Sequence, residues 1–249
     1  MKLDSLFEKL SSKLSRKNLI TLIVILSVAI IAFLGIIFRH NILPLSDPSS
    51  STAAYKEASS PPLVVIDPGH GGSEPGAGSG SIIEKDITLQ ISLKVEKLLN
   101  EKHIDNILTR KNDTYVSLED RTKLANEKKC SLFVSIHNNS FTDPSSNGIL
   151  TTYNPNSPTG ESNAKIMQSK LKTLGMYNRD IMPRPNLYVL RHTDMPALLL
   201  EIGFISNKSD FKLLTDSDFQ VKCAKHIVSG IEEILSANAT ASSKSSSGD

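Results

Sequence analysis

The chain has 249 residues, with 28 Lys and Arg against 26 Asp and Glu, for a net charge of +2. No Lys/Arg cluster with interleaved aromatics occurs, which argues against nucleic acid as a partner. Two cysteines, Cys130 and Cys223, are too few for a disulfide framework in a domain of this size; either they pair in an exported domain or they are buried free thiols.

Residues 1–17 are polar and basic, carrying Lys2, Lys9, Lys13, Arg16 and Lys17 against only Asp4 and Glu8. No charged residue occurs from Leu19 to Phe38. About 20 apolar residues rising about 1.5 Å each cross a hydrocarbon core of about 30 Å, so residues 18–38 are expected to form a transmembrane anchor. A cleavable signal peptide is the alternative. Its apolar region is usually only about 7–15 residues with a small-residue cleavage site after it, whereas Arg39, His40 and Asn41 follow here and Ala53-Ala54 come later. The basic excess before the span places residues 1–17 in the cytoplasm and everything after it outside the membrane. Residues 39–62 form a linker, Ser-, Pro- and Ala-rich from Ser46 onward, which reads as a flexible tether. Residues 63–235 have the size of one domain with a full core. Residues 236–249 are Ser/Ala-rich and expected to be disordered.

Within the domain, Leu63 to Ile66 is a short buried strand ended by Asp67-Pro68-Gly69. The glycine loop "HGGSEPGAGSGSIIEKD" follows, and Asp86 is a candidate cap for a helix facing inward through Ile87, Ile91, Val95 and Leu98. Ile104 to Thr109 fits a strand. Ser117 is an expected N-cap of a helix that ends at Lys128-Lys129. Leu132 to Ile136 reads as a buried strand, Gly148 to Tyr153 as a more exposed one, and Glu161 to Leu174 as a helix. Leu187 to Leu190 and Ala197 to Leu200 read as strands, and a helix from Phe219 to Leu235 closes the domain. Strands alternating with helices, several of them apolar throughout, predict an α/β fold: a twisted, mostly parallel mixed sheet with helices on both faces. It forms a single catalytic domain behind the N-terminal transmembrane helix.

Three apolar runs deliver ionisable side chains to what should be one sheet edge: His70 in "VVIDPGHGG", His137 in "LFVSIHNNS" and Glu201 in "ALLLEIGFISN". Open α/β sheets bind ligands at the carboxyl ends of their strands. Glu84 follows a loop glycine-rich enough to fold back over that edge. A lone histidine after a strand is usually a satisfied polar residue; it is convergence that gives His70, Glu84, His137 and Glu201 the composition of a catalytic zinc site. The same loop does not suit phosphate, since it lacks both the Gly-Lys-Ser/Thr ending and GxGxxG spacing and carries Glu74 and Glu84. Glu201 can be a fourth ligand, a surface carboxylate, or a general base beside metal-bound water, and a carboxylate at the mouth of a buried strand needs a charged partner or a task. Asp67 is better placed for turn or supporting use than for catalysis. His192, in "VLRHTDMP", is a solvated loop residue or a substrate contact, and His40, His103 and His226 lack the strand-end setting.

Taken in order, "VVIDPGHGG", "IIEKD", "SLFVSIHNNS" and "PALLLEIGFISN" resemble the zinc-dependent N-acetylmuramoyl-L-alanine amidases of the Amidase_3 family. The resemblance runs over nearly all of Leu63 to Leu235. It implies one Zn2+ ion held by His70, Glu84 and His137, with Glu201 catalytic, and hydrolysis of the bond joining N-acetylmuramic acid to L-alanine in peptidoglycan. The short chain, single anchor and absence of an appended wall-binding module look most like the germination-specific spore-cortex amidases. That likeness implies a membrane-anchored enzyme with its catalytic domain extracytoplasmic, on the forespore or cortex side. An activator or localising protein would then be a partner. A zinc peptidase acting on stem peptides and a non-catalytic wall-binding protein with structural zinc are the competing readings. Some relatives carry an inhibitory helix over the site, for which the span from His137 to Glu201 looks short beyond the helix expected at Glu161 to Leu174.

Overall fold

The computed structural model describes residues 61–79 and 82–245, together with the isolated residues 18, 21 and 25. The expected anchor at 18–38 therefore lies almost entirely outside the described residues, as do residues 1–17 and most of the linker. Among the described residues no helix is long and apolar enough to cross a membrane.

A six-stranded sheet organises the domain. Its strands are β1 (Val64–Pro68), β4 (Asn106–Leu108), β5 (Leu132–Asn139), β6 (Ile149–Tyr153), β7 (Asn178–Pro183) and β8 (Ala197–Phe204), in the order β4-β1-β5-β8-β6-β7. Strands β4, β1, β5 and β8 are parallel to one another; β6 runs antiparallel to β8, and β7 parallel to β6. A two-stranded ribbon, β2 (Gly78–Ser79) with β3 (Ile82–Ile83), closes the glycine loop.

Alternation along the strands sorts the two faces. Val64, Ile66, Val134, Ile136, Leu198 and Leu200 point to one face, where they pack with α1 (Glu84–Glu101), α3 (Gly160–Leu171) and α6 (Ser217–Ser245) in the large core. Val65, Phe133, Ala197 and Leu199 point to the other, under α2 (Leu118–Glu127) and α4 (Tyr188–Arg191) in a smaller cluster. This second layer is thin. The carboxyl ends of β1, β5 and β8 emerge beside it, and alternation carries Asp67, Ser135, His137 and Glu201 onto that face.

The α/β class and the largely parallel sheet are as the sequence indicates. Several elements differ. Leu187 to Leu190 is not a strand: the short helix α4 occupies Tyr188–Arg191, and a four-residue apolar run carries too little periodicity to separate the two states. Asp86 does not cap α1; Ile83 is the N-cap, and the helix starts at Glu84, with Glu84 and Asp86 together in its first turn. Carboxylates there suit the positive end of the helix dipole. Ser117 does cap α2, its side chain accepting from Asp120 N at 3.1 Å. Edge strand β7 is largely exposed and α5 (Lys208–Leu214) is short, so neither has a strong apolar signature. Helix α6 runs through Ser245 rather than stopping at Leu235, so 236–245 are helical rather than disordered; Ala237, Ala239 and Ala241 are the strongest helix formers. Both cysteines are buried free thiols.

Candidate metal centre

Beyond β1 the backbone turns sharply at His70, which adopts left-handed φ of 59° despite its side chain. Two buried arginines hold that turn. Arg121 Nη2 donates to the His70 carbonyl at 2.8 Å and Nη1 to Pro68 O at 2.8 Å. Arg110 Nη2 donates to Gly69 O and to Lys85 O, each at 2.8 Å, which ties the loop to the first turn of α1. Thr88 Oγ1 adds a bond to Gly69 O at 2.9 Å. The loop then passes over the site at Gly76, where φ is +70° and a Cβ would lie 2.6 Å from both Glu84 Oε2 and His70 Cδ2. At Gly69 a Cβ would collide with the His137 ring. Glycine at these two positions is what lets the chain close around the side chains.

Glu84 is buried at the centre of the site. Its Oε2 lies 3.1 Å from His70 Nε2 and its Oε1 3.0 Å from His137 Nδ1. The backbone N–H groups of Ala77 and Asn138 also donate to it, each at 2.9 Å. Burial alone would raise the Glu84 carboxyl, but the hydrogen bonds from His137 and His70 outweigh it and hold the group well below the usual carboxylate range. Burial disfavours the His137 cation, yet the Glu84 hydrogen bond and charge raise that ring above its ordinary value. The His70 and His137 rings meet edge to face, 4.8 Å between centroids.

Glu201 needs no loop to reach the site. It is the parallel register partner of His137, and on its other side it pairs with Leu150 of β6. Burial, followed by the Glu84 charge, pushes its carboxyl up to about 7 against the pull of His137, His70 and Arg184. Its Oε2 is buried without a hydrogen-bond partner.

The residues fit a divalent metal. One donor atom each from His70, Glu84 and His137 lies within 4.8 Å of the others. The two Glu84 oxygens each face one imidazole, Oε2 at 3.1 Å from His70 Nε2 and Oε1 at 3.0 Å from His137 Nδ1, so the carboxylate lies between the two nitrogens. Two imidazoles and a carboxylate are the donors zinc prefers, and three protein ligands leave a position open. Glu201, with its buried and unpartnered Oε2, is the register partner of one member of this cluster, His137.

Asp67 supports the site rather than joining it. Its carboxylate accepts from Arg121 Nη1 at 2.5 Å, Thr109 Oγ1 at 2.6 Å and Ser135 Oγ at 2.7 Å. Burial opposes the charge, but Arg121 and the two hydroxyls hold Asp67 below its ordinary value. A cavity of about 140 Å³ opens beside the cluster, lined by His70 and His137 together with Leu118, Leu187, Tyr188 and Leu199.

The structure brings His70, Glu84 and His137 together, and strand register sets Glu201 beside His137. The remaining histidines stand apart. His103 sits beyond α1, His226 lies on α6 and His192 follows α4, stacked on Tyr188 at 4.0 Å; His40 is outside the described residues. Sequence reasoning missed Arg110 and Arg121. A signal existed, because Arg121 falls in helical phase with the buried Ala125, and a carboxylate as enclosed as Asp67 requires a cation.

A mixed α/β sheet bearing a His-Glu-His cluster with an unpartnered carboxylate beside it has the form of a metal-dependent hydrolase. The chain belongs to the Amidase_3 family of N-acetylmuramoyl-L-alanine amidases, whose model matches residues 64–233. It is similar to the probable cell wall amidase LytH of Staphylococcus epidermidis, 35% identical over 190 residues, covering 74% of this chain and 63% of that relative. The chain therefore spans less than two thirds of that protein. The germination-specific N-acetylmuramoyl-L-alanine amidase of Bacillus subtilis is 32% identical over 184 residues, covering 68% of this chain and 78% of the relative. Among solved structures, the CwlD amidase of Clostridioides difficile, in complex with the GerS lipoprotein, aligns with a TM-score of 0.68 at 33% identity, covering 71% of this chain and 99% of that one.

Proposed function

We propose that this protein hydrolyses the amide bond between N-acetylmuramic acid and L-alanine in peptidoglycan, using one zinc ion held by His70, Glu84 and His137. The observation that carries this reading is the register pairing of His137 with Glu201, which sets an unpartnered carboxylate beside an imidazole of the cluster. When bound, zinc lowers the pKa of water toward 7 and polarises the scissile carbonyl. Glu201 takes a proton from the attacking water on its unpartnered Oε2 as the new carbon–oxygen bond forms. It then gives that proton to the L-alanine nitrogen as the carbon–nitrogen bond breaks, leaving a muramic acid carboxyl and a free amine. Glu84, accepting two backbone N–H bonds, stays fixed and ionised throughout. Leu118, Tyr188 and Leu199 form an apolar wall for the substrate on the open side.

The family membership and the germination-specific relative support a role in spore-cortex maturation for germination. The uncharged stretch at 18–38 supports a membrane anchor, with the 39–62 linker, the catalytic domain at 63–235 and its substrate outside the cytoplasm. The CwlD amidase's complex with a lipoprotein supports a protein partner that localises or activates the enzyme. Digestion of intact peptidoglycan with and without a chelator, read by mass spectrometry, tests the activity. Muramic acid with a free carboxyl, formed only without chelator, is the expected product. Released amino acids with the sugar–peptide bond intact would mean a peptidase, and no product at all a binding protein.

A further inference from the structure

One polar atom of the centre is unaccounted for. His70 presents Nε2 to Glu84, while its Nδ1 is buried and makes no hydrogen bond. The nearest carboxylate oxygen is Oε1 of Glu74, at 3.5 Å, slightly too long for a bond. The approach is built into the backbone. Gly71 N donates to Glu74 O at 2.9 Å and Glu74 N to Gly71 O at 3.1 Å, a reciprocal pair that closes a tight turn and brings Glu74 back over the ring it follows. Gly71 and Gly72 both have positive φ, which this turn requires. The Arg121 bond to the His70 carbonyl fixes the backbone from which the ring projects.

We infer that Glu74 is a positioning residue: its carboxylate accepts the Nδ1–H of His70, locks the ring in the tautomer that leaves Nε2 free, and aims that nitrogen at the metal. The inference rests on the zinc reading above. Glu74 is half-exposed, so a small side-chain rotation closes the 3.5 Å gap without moving the backbone. Ligating histidines generally donate their second ring nitrogen to such an acceptor, and loss of the acceptor typically weakens metal binding about 10–100-fold.

The test uses the full chain and zinc itself, with affinity read by competition against a chromogenic chelator. Glu74→Ala should bind zinc about 10–100-fold more weakly, and Glu74→Gln, which keeps a carbonyl acceptor, should fall between it and the parent. Imidazole nitrogen NMR of the parent should show the His70 proton on Nδ1, with a mixture of tautomers in Glu74→Ala. Zinc affinity within about twofold of the parent in Glu74→Ala, or a proton on Nε2 in the parent, would overturn the inference. So would unchanged affinity with a raised KM, which would put Glu74 on the substrate instead. His70→Ala separates the two levels: if it binds zinc as tightly as the parent, the metal reading itself falls, whereas loss in His70→Ala alone removes only the role of Glu74.

Discussion

The two halves of the metal centre are held by different means. His137 and Glu201 sit on adjacent parallel strands, so backbone pairing alone fixes their relation, and the strands beneath them are closed by Ile136, Leu200 and Ile202 in the large core. His70 and Glu84 have no such pairing. They depend on a left-handed turn, a glycine that lets the loop pass, and two buried guanidiniums gripping carbonyl groups. The sheet-borne half is placed by register. The loop-borne half is placed by charge and hydrogen bonds, and so should be the more sensitive to single substitutions away from the metal.

The sharpest test acts on the sheet-borne half. Glu201→Gln keeps the strand and its neighbours but removes the proton acceptor. Zinc content should be unchanged while kcat falls by about 10²–10⁴-fold. Metal loss in Glu201→Gln equal to that in His70→Ala would make Glu201 a ligand and dissolve the distinction between base and metal holder.

On the loop-borne half, Arg121→Ala removes the guanidinium paired with buried Asp67 and frees the His70 carbonyl. Removing one partner of a buried ion pair costs about 3–5 kcal/mol, measurable as a lowered urea midpoint. Zinc affinity should fall with it. A variant that stays folded and binds zinc normally would show that the turn holds His70 without Arg121.

A smaller effect separates the halves by pH in the zinc-free protein. Glu201 is raised by burial from 4.5 to about 7, so the folded state retains a proton that the unfolded chain has already lost. Folding stability contributed by this group is therefore fully present below about pH 4.5 and declines as pH rises through 7. Glu201→Gln should flatten that slope in denaturation series across this window. Asp67 works the other way. Its lowered value gives stability above its ordinary 3.8 that is lost as pH falls through the folded value.

How far the sequence is legible follows the same division. Apolar runs ending in His137 and Glu201 disclose the sheet-borne half, because a buried parallel strand has a composition few other elements share. His70 and Glu84 are legible as residues, but what holds them is not. Arg110 and Arg121 lie 41 and 51 residues from the carbonyls of Gly69 and His70 that they grip, a separation with no periodic signature. The α4 error has the same origin: Tyr188 to Arg191 is shaped by packing over β8, and tertiary context decides what four residues cannot.

Pairing between β5 and β8 slips just after the rung that carries His137 and Glu201. His137 faces Glu201, but Asn139 faces Phe204, so β8 fits one extra residue there, with Gly203 at φ +81° within the irregularity. Such a bulge bends its strand and increases the local twist. Asp210 of α5 holds that bend, its Oδ2 accepting from Phe204 N at 2.9 Å and from Gly148 N at 2.7 Å, so one buried carboxylate ties the end of β8 to the residue that leads into β6.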